Sequence, residues 1–225
     1  MSQRIGKEDK RMRYKAILFD MDGTVLDTIE DLHDSVNYSL EKFGMPSVAL
    51  AEVKASLGNG SLYLIEHVVP KGTSPELTKE IHEFYKKWYN YHCVNKTRPY
   101  EGIPELMEKL KAMGCGVAIV SNKPNTAVTE LNERFFPDIY AIGETAEIRR
   151  KPWPDMPLAA AKHLGVDGKD CLYVGDTEVD IKTAQSSGMD CASVSWGFRD
   201  EQQLIASGAK SIYRTVSELS DMLLK

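Results

Sequence analysis

Five short apolar runs punctuate the chain: Ala16–Phe19, Gly116–Val120, Ile139–Ile142, Leu172–Val174 and Cys191–Ser195. Runs of this length, with little polar alternation, suit strands buried on both faces, as in a parallel sheet. Between most of them the apolar period lengthens to that of a helix. Glu105–Met113 sets Leu106, Met107, Leu110 and Met113 on one face, Pro157–Leu164 is rich in Ala and Leu, and Val179–Ser187 follows the fourth run. Strands alternating with helices predict an α/β fold on a doubly wound, Rossmann-like parallel sheet. One interval breaks the rhythm. Roughly ninety residues separate the first two strands, where a βαβ unit needs about thirty. The interval reads as helical throughout. A helix over Glu30–Phe43 follows Thr28 and stops at Gly44 and Pro46. A later one carries Ile81, Phe84, Tyr85 and Trp88 at i, i+3, i+4 and i+7, a packing stripe. The expected organisation is therefore a basic, disordered tail over 1–14, an α/β core over 15–27 and 98–225, and a helical insert over 28–97. The insert returns to the core through Arg98–Pro104, with its two prolines and Gly102.

Composition narrows the possibilities. The chain has 225 residues, 42% of them hydrophobic, and 28 Lys+Arg against 33 Asp+Glu. That is enough to bury a large core. No apolar run approaches the ~20 residues of a membrane span, so no membrane is expected as a partner. Six basic residues fall within Met1–Lys15, which leaves the remainder acidic and argues against nucleic acid as a partner. The cysteines at 93, 115, 171 and 191 stand far apart with no CxxC pair, which points to reduced thiols in a cytoplasmic protein. Oligomeric state stays open between monomer and homodimer.

Chemistry concentrates where strands end. The first gives Asp20-Met21-Asp22-Gly23-Thr24, the second Ser121-Asn122-Lys123, the fourth Gly175-Asp176-Thr177-Glu178-Val179-Asp180. Each alone has an ordinary explanation as a cap or turn. Ligands of open α/β sheets, however, bind outside the carboxyl ends of the strands, where all three groups converge. Two unit charges 4 Å apart repel by about 4 kcal/mol at an effective dielectric near 20. Asp20, Asp22, Asp176 and Asp180 therefore need protons or a cation, and hard oxygen ligands favour Mg²⁺. Such a centre attracts a phosphate ester, and Lys151, within Arg150-Lys151-Pro152, offers a fixed positive charge.

These four motifs, in this order and spacing, resemble the haloacid dehalogenase-like hydrolases, and the helical insert resembles that family's cap. The resemblance implies Asp20 as nucleophile and Asp22 as acid and then base, with an aspartyl-phosphate between the two steps. It implies that Ser121, Asn122 and Lys151 bind phosphate, with backbone N–H groups of Met21 and Asn122 assisting. Asp20, the Asp22 carbonyl and Asp176 would hold Mg²⁺, supported by Asp180. Asp22 points away from dehalogenation and toward phosphoryl transfer. Within the cap, Gly58-Asn59-Gly60 is the expected selectivity loop. Leu57-Gly58-Asn59-Gly60, Ser121-Asn122-Lys123-Pro124 and Val194–Arg199 are similar to phosphoglycolate phosphatases. A small phosphorylated acid such as phosphoglycolate is thus the expected small-molecule substrate. A phosphosugar mutase, a pyrophosphatase, a nucleotidase and, more remotely, a phosphorylation-switch domain remain open on the same residues. Arg149 and Arg150 are read as either favouring a doubly anionic substrate or facing solvent, and Arg199 as either a carboxylate clamp or a surface residue.

Overall fold

The computed structural model describes residues 12–225. In chain order the elements begin with β1 (Ala16–Phe19), β2 (Leu26–Asp27), α1 (Ile29–Lys42), α2 (Leu50–Ala55), α3 (Ser61–Val68), α4 (Pro75–His92) and β3 (Arg98–Pro99). There follow α5 (Ile103–Ala112), β4 (Gly116–Pro124), α6 (Asn125–Phe135), β5 (Tyr140–Glu144) and α7 (Asp155–His163). The chain ends with β6 (Cys171–Gly175), α8 (Glu178–Ser187), β7 (Asp190–Val194), α9 (Glu201–Ala206), β8 (Ile212–Tyr213) and α10 (Val216–Leu223).

Six strands form one parallel sheet in the order β5-β4-β1-β6-β7-β8. Side chains alternate across it. Ile17, Phe19, Ile119 and Val174 face one core, and Leu18, Val120 and Tyr173 face the other with Met156 and Ala160 of α7. Every residue of β1 is fully buried. Each large apolar side chain removed from water in this way contributes about 1.5–3 kcal/mol. That explains why a four-residue strand can occupy the centre of the sheet.

The helical interval is ordered by its own aromatic seam. Tyr38 of α1 stacks on Trp88 of α4 with ring centroids 3.8 Å apart, and Phe43 meets Phe84 edge-on at 5.8 Å. Ser74 caps α4, accepting from the Leu77 N–H at 3.2 Å, with Pro75 opening the helix. The chain enters and leaves this interval through one antiparallel pair, Leu26 opposite Pro99 and Asp27 opposite Arg98. Beside it the buried Asp31 carboxylate accepts from the N–H groups of Lys96 and Thr97 and from the Thr97 hydroxyl at 2.8–3.0 Å.

The structure departs from the sequence pattern in three places. β4 runs on to Pro124, past the apolar residues, with an irregularity in its pairing to β5 between Val120 and Pro124. A sixth strand, β8, is only two residues long and leaves no periodic signal. Of the expected basic tail, residues 1–11 lie outside the described residues, but Tyr14 is buried and its hydroxyl donates to Asp190 Oδ2 at 2.7 Å. Cys93, Cys115 and Cys171 are buried free thiols and Cys191 is half-buried. Among the described residues no helix is long and apolar enough to cross a membrane.

Candidate active site

β1 sits between β4 and β6, with Phe19 level with Ile119 and Val174. Asp20, Ser121 and Asp176 lie one or two residues beyond that level, so the three strands deliver them to the same edge. β4 and β5 are laid down on one flank of β1 and β6, β7 and β8 on the other, so the strand order reverses at β1 and opens the crevice there. Asp180 joins from the first turn of α8. Its Oδ2 accepts from the Thr177 N–H at 3.0 Å and hydroxyl at 2.7 Å, an exchange that caps the helix and fixes the carboxylate.

One oxygen from each of Asp20, Asp176 and Asp180 falls within 4.8 Å of the other two, and all three residues are buried. Lys151 Nζ lies 2.8 Å from Asp20 Oδ1 and 2.8 Å from Asp180 Oδ1. Three carboxylates against one ammonium leave a surplus of buried negative charge. Burial, then the charge of Asp180, pushes the Asp20 carboxyl well above its ordinary value. The same two causes raise Asp176 to about 7. Burial alone would lower the Lys151 amine, but the facing Asp180 and Asp20 hold it well above its usual range. A divalent cation relieves that surplus, and an all-oxygen donor set fits one of the hard kind. Asp176 is oriented for it by the Thr24 hydroxyl at 2.9 Å and the Phe198 N–H at 2.6 Å. Gly197 permits this approach, since a Cβ there would run into Asp176 Oδ2 and the Gly23 carbonyl.

The other predicted residues take distinct positions. Asp20 Oδ1 accepts from the Met21 N–H at 2.7 Å, so that N–H is engaged by the carboxylate. The Asp22 side chain lies outside the three-carboxylate cluster and faces Lys123, whose Nζ is 3.1 Å from Asp22 Oδ1. The pair lacks hydrogen-bond alignment, which leaves that oxygen buried without a donor. Asn122 works through its side chain. Its Oδ1 accepts from the Lys151 N–H at 2.8 Å, and its Nδ2 donates to the carbonyls of Lys151 at 2.9 Å and Gly58 at 3.0 Å.

A cavity of about 60 Å³ lies between these groups and the helical interval. Asp20, Asp22, Ser121 and Lys151 line it from the sheet, and Gly58, Gly60, Ser61 and Tyr89 from the helices. Gly58 and Gly60 adopt φ of +107° and +89°, a backbone that other residues rarely take. Asn59 is not among the lining residues. It is the flanking glycines that approach the crevice.

Arg199 answers to neither of its expected roles. It is 9% exposed and donates to the carbonyls of Lys54, Ala55 and Leu57 while pairing with Glu178 at 2.9 Å. It thus satisfies the open C-terminus of α2 and ties the helical interval to the core. Arg149 and Arg150 pair with Asp155 and Glu144 at 2.9 and 3.2 Å. Lys123 was quoted from the sequence within Ser121-Asn122-Lys123 but given no role of its own, and Tyr89 was not singled out. With β4 continuing through Pro124, Ser121 and Lys123 fall two apart on one strand, and that spacing was the available signal.

A family model described as haloacid dehalogenase-like hydrolase matches residues 17–194. A phosphoglycolate phosphatase of Xanthomonas campestris pv. campestris is 31% identical over 196 residues, 84% of this chain and 86% of the relative. An N-acetylmuramic acid 6-phosphate phosphatase of Pseudomonas aeruginosa is 32% identical over 224 residues, covering 95% of this chain and 96% of that one. A crystal structure from Lactobacillus delbrueckii subsp. bulgaricus, provisionally described as a phosphoglycolate phosphatase, superposes with a TM-score of 0.89 at 37% identity, over 94% of this chain and 99% of that one.

Proposed function

The chain belongs to the haloacid dehalogenase-like hydrolase family, and we propose that it is a Mg²⁺-dependent phosphatase of small phosphorylated acids, with 2-phosphoglycolate as substrate. The observation that carries this reading is the buried trio Asp20, Asp176 and Asp180 with Lys151 between two of them, opening on a cavity that Asp22 also lines. Asp20 and Asp176, with the Asp22 carbonyl and the support of Asp180, would hold the ion. When bound, Mg²⁺ supplies charge neutralisation to the transferring phosphoryl group.

The protein's own residues account for the remaining chemistry. Asp20 Oδ1 is held by the Met21 N–H and Lys151 Nζ, so Oδ2 attacks phosphorus while the ester P–O bond breaks. Asp22 gives its proton to the departing oxygen. It then takes a proton from the water that attacks the aspartyl-phosphate, which frees inorganic phosphate and restores Asp20. Ser121 and Lys151 steady the phosphoryl oxygens. Residues 28–97 serve as a cap that keeps bulk water from the acyl phosphate.

The cavity of about 60 Å³ is closed on the helical side by Gly58, Gly60 and Tyr89, which supports a small leaving group. Free thiols suit a reducing, cytoplasmic setting. Release of inorganic phosphate, with and without Mg²⁺, from 2-phosphoglycolate, N-acetylmuramic acid 6-phosphate, pyrophosphate, nucleoside monophosphates and hexose phosphates tests the assignment. The expected result is Mg²⁺-dependent release with the highest kcat/KM on 2-phosphoglycolate. No release from any ester would end it, and a higher kcat/KM on the amino-sugar phosphate would move the substrate.

A further inference from the structure

Resting on the phosphatase reading, we infer that Lys123 and Tyr89 form a carboxylate-binding subsite for the leaving group, and that this pair selects phosphorylated acids over neutral esters of the same size. Lys123 Nζ stands 3.1 Å from Asp22 Oδ1. With Asp22 protonating the ester oxygen, the next few atoms of the leaving group fall beside that amine.

The donors at this spot outnumber their acceptors. The Lys123 side chain is 3% exposed and carries three N–H donors. One is directed to the Tyr89 hydroxyl oxygen at 2.6 Å. The approach to Asp22 at 3.1 Å is an ion pair without hydrogen-bond alignment, so the remaining N–H groups can turn to an incoming acceptor. Tyr89, by accepting from Lys123, keeps its own O–H to donate. Burial, reinforced by the nearby Asp22 charge, pushes the phenol well above its ordinary pKa and keeps that proton in place. The amine also lies 4.2 Å from the Tyr89 ring centroid, which fixes it against the cap helix α4. Two donors on one amine and one on the adjacent phenol match the two oxygens of a carboxylate.

The neighbouring positive side chains are committed elsewhere. Lys151 bridges Asp20 and Asp180, and Lys86, which also lines the cavity, is 2.7 Å from Glu83. Arg150 and Arg199 are paired with Glu144 and Glu178. Lys123 has Asp22 as its carboxylate neighbour at 3.1 Å, and a positive side chain this deeply buried gains from a second, better-aligned anion. The cavity that it borders is small.

Two esters of nearly equal size separate this role from the others: 2-phosphoglycolate and 2-hydroxyethyl phosphate, assayed by phosphate release with Mg²⁺. The wild-type protein should favour the acid by about a hundredfold in kcat/KM, and Lys123→Met should bring the ratio close to unity. Lys123→Arg should recover part of the preference. Equal losses on both esters in Lys123→Met would overturn the inference and assign Lys123 to Asp22 or to the fold. If Lys123→Met does not fold, as judged by circular dichroism, Tyr89→Phe decides. Removing the one hydroxyl should lower the ratio about tenfold, and an unchanged ratio would overturn the inference. Wild-type protein that cleaves both esters equally well would refute the subsite while leaving the phosphatase intact. Protein that cleaves neither, nor any other ester, would remove both.

Discussion

Asn122→Ala isolates a side chain that joins three parts of the molecule. The amide links the end of β4 to the Lys151 backbone in both directions and to the Gly58 carbonyl across the crevice. Asn122 is 4% exposed, and its bonds with the N–H and carbonyl of Lys151 are buried. A buried polar group left without its partner costs about 1–3 kcal/mol, and one that water can reach costs about 0.5–1.5 kcal/mol. Two groups of the first kind and one of the second put the loss at about 5 kcal/mol. That is a large part of the 5–15 kcal/mol typical of a folded domain. Urea unfolding followed by fluorescence should show the midpoint falling with little change in slope. Activity should fall about a hundredfold as well, because Lys151 loses the bonds that hold its backbone and small misplacements at a reacting centre are costly. Asn122→Asp keeps the acceptor but turns a negative charge toward two carbonyls, and should do no better than alanine. A stability loss below about 1 kcal/mol in Asn122→Ala would refute the bridging account, since water would then be serving all three groups.

Three other outcomes follow from the same geometry. Asp20→Asn should abolish turnover by several orders of magnitude while the protein stays folded; retention of a tenth of the rate would exclude Asp20 as nucleophile. Burial raises Asp176 to about 7 from an ordinary value of 3.8, and raises Asp20 too, so the folded state holds protons that the unfolded chain releases above pH 4. Metal-free stability should therefore decline as pH rises from about 4 to 7. The gain in Tm on adding Mg²⁺, which binds the ionised carboxylates, should be small at pH 5 and large at pH 8; equal gains at both would count against the cluster as the metal site. Gly197→Ala should lower Tm in the absence of metal and weaken Mg²⁺ binding as well, because the new methyl meets both the Gly23 carbonyl and Asp176. A purely thermal effect, with Mg²⁺ titration unchanged, would speak against the contact with Asp176.

The sheet and its acidic edge were legible in the sequence because both depend on short-range patterns. Four apolar residues followed by Asp20-Met21-Asp22, or Leu172–Val174 followed by Gly175-Asp176, mark a buried strand and what stands at its end. Ser121-Asn122 reads as the start of a turn, so the continuation of β4 to Lys123 and Pro124 was concealed, and with it a role for Lys123 apart from that of Ser121. Arg199 was illegible for another reason. Its acceptors are backbone carbonyls of residues 54, 55 and 57, and a carbonyl leaves no trace in the identity of the residue that bears it. The loop at 58–60 was found by its glycines. The asparagine between them suggested a reaching side chain, yet it is the bare backbone that comes near.

The paired crossings at Leu26–Asp27 and Arg98–Pro99 make the sheet indifferent to what lies between them. A neighbouring entrance and exit can accept a longer excursion, a shorter one or a different one without altering the register of β1. The stretch between them, Tyr89 included, can therefore be exchanged while Asp20 and Lys123 keep their places on the sheet.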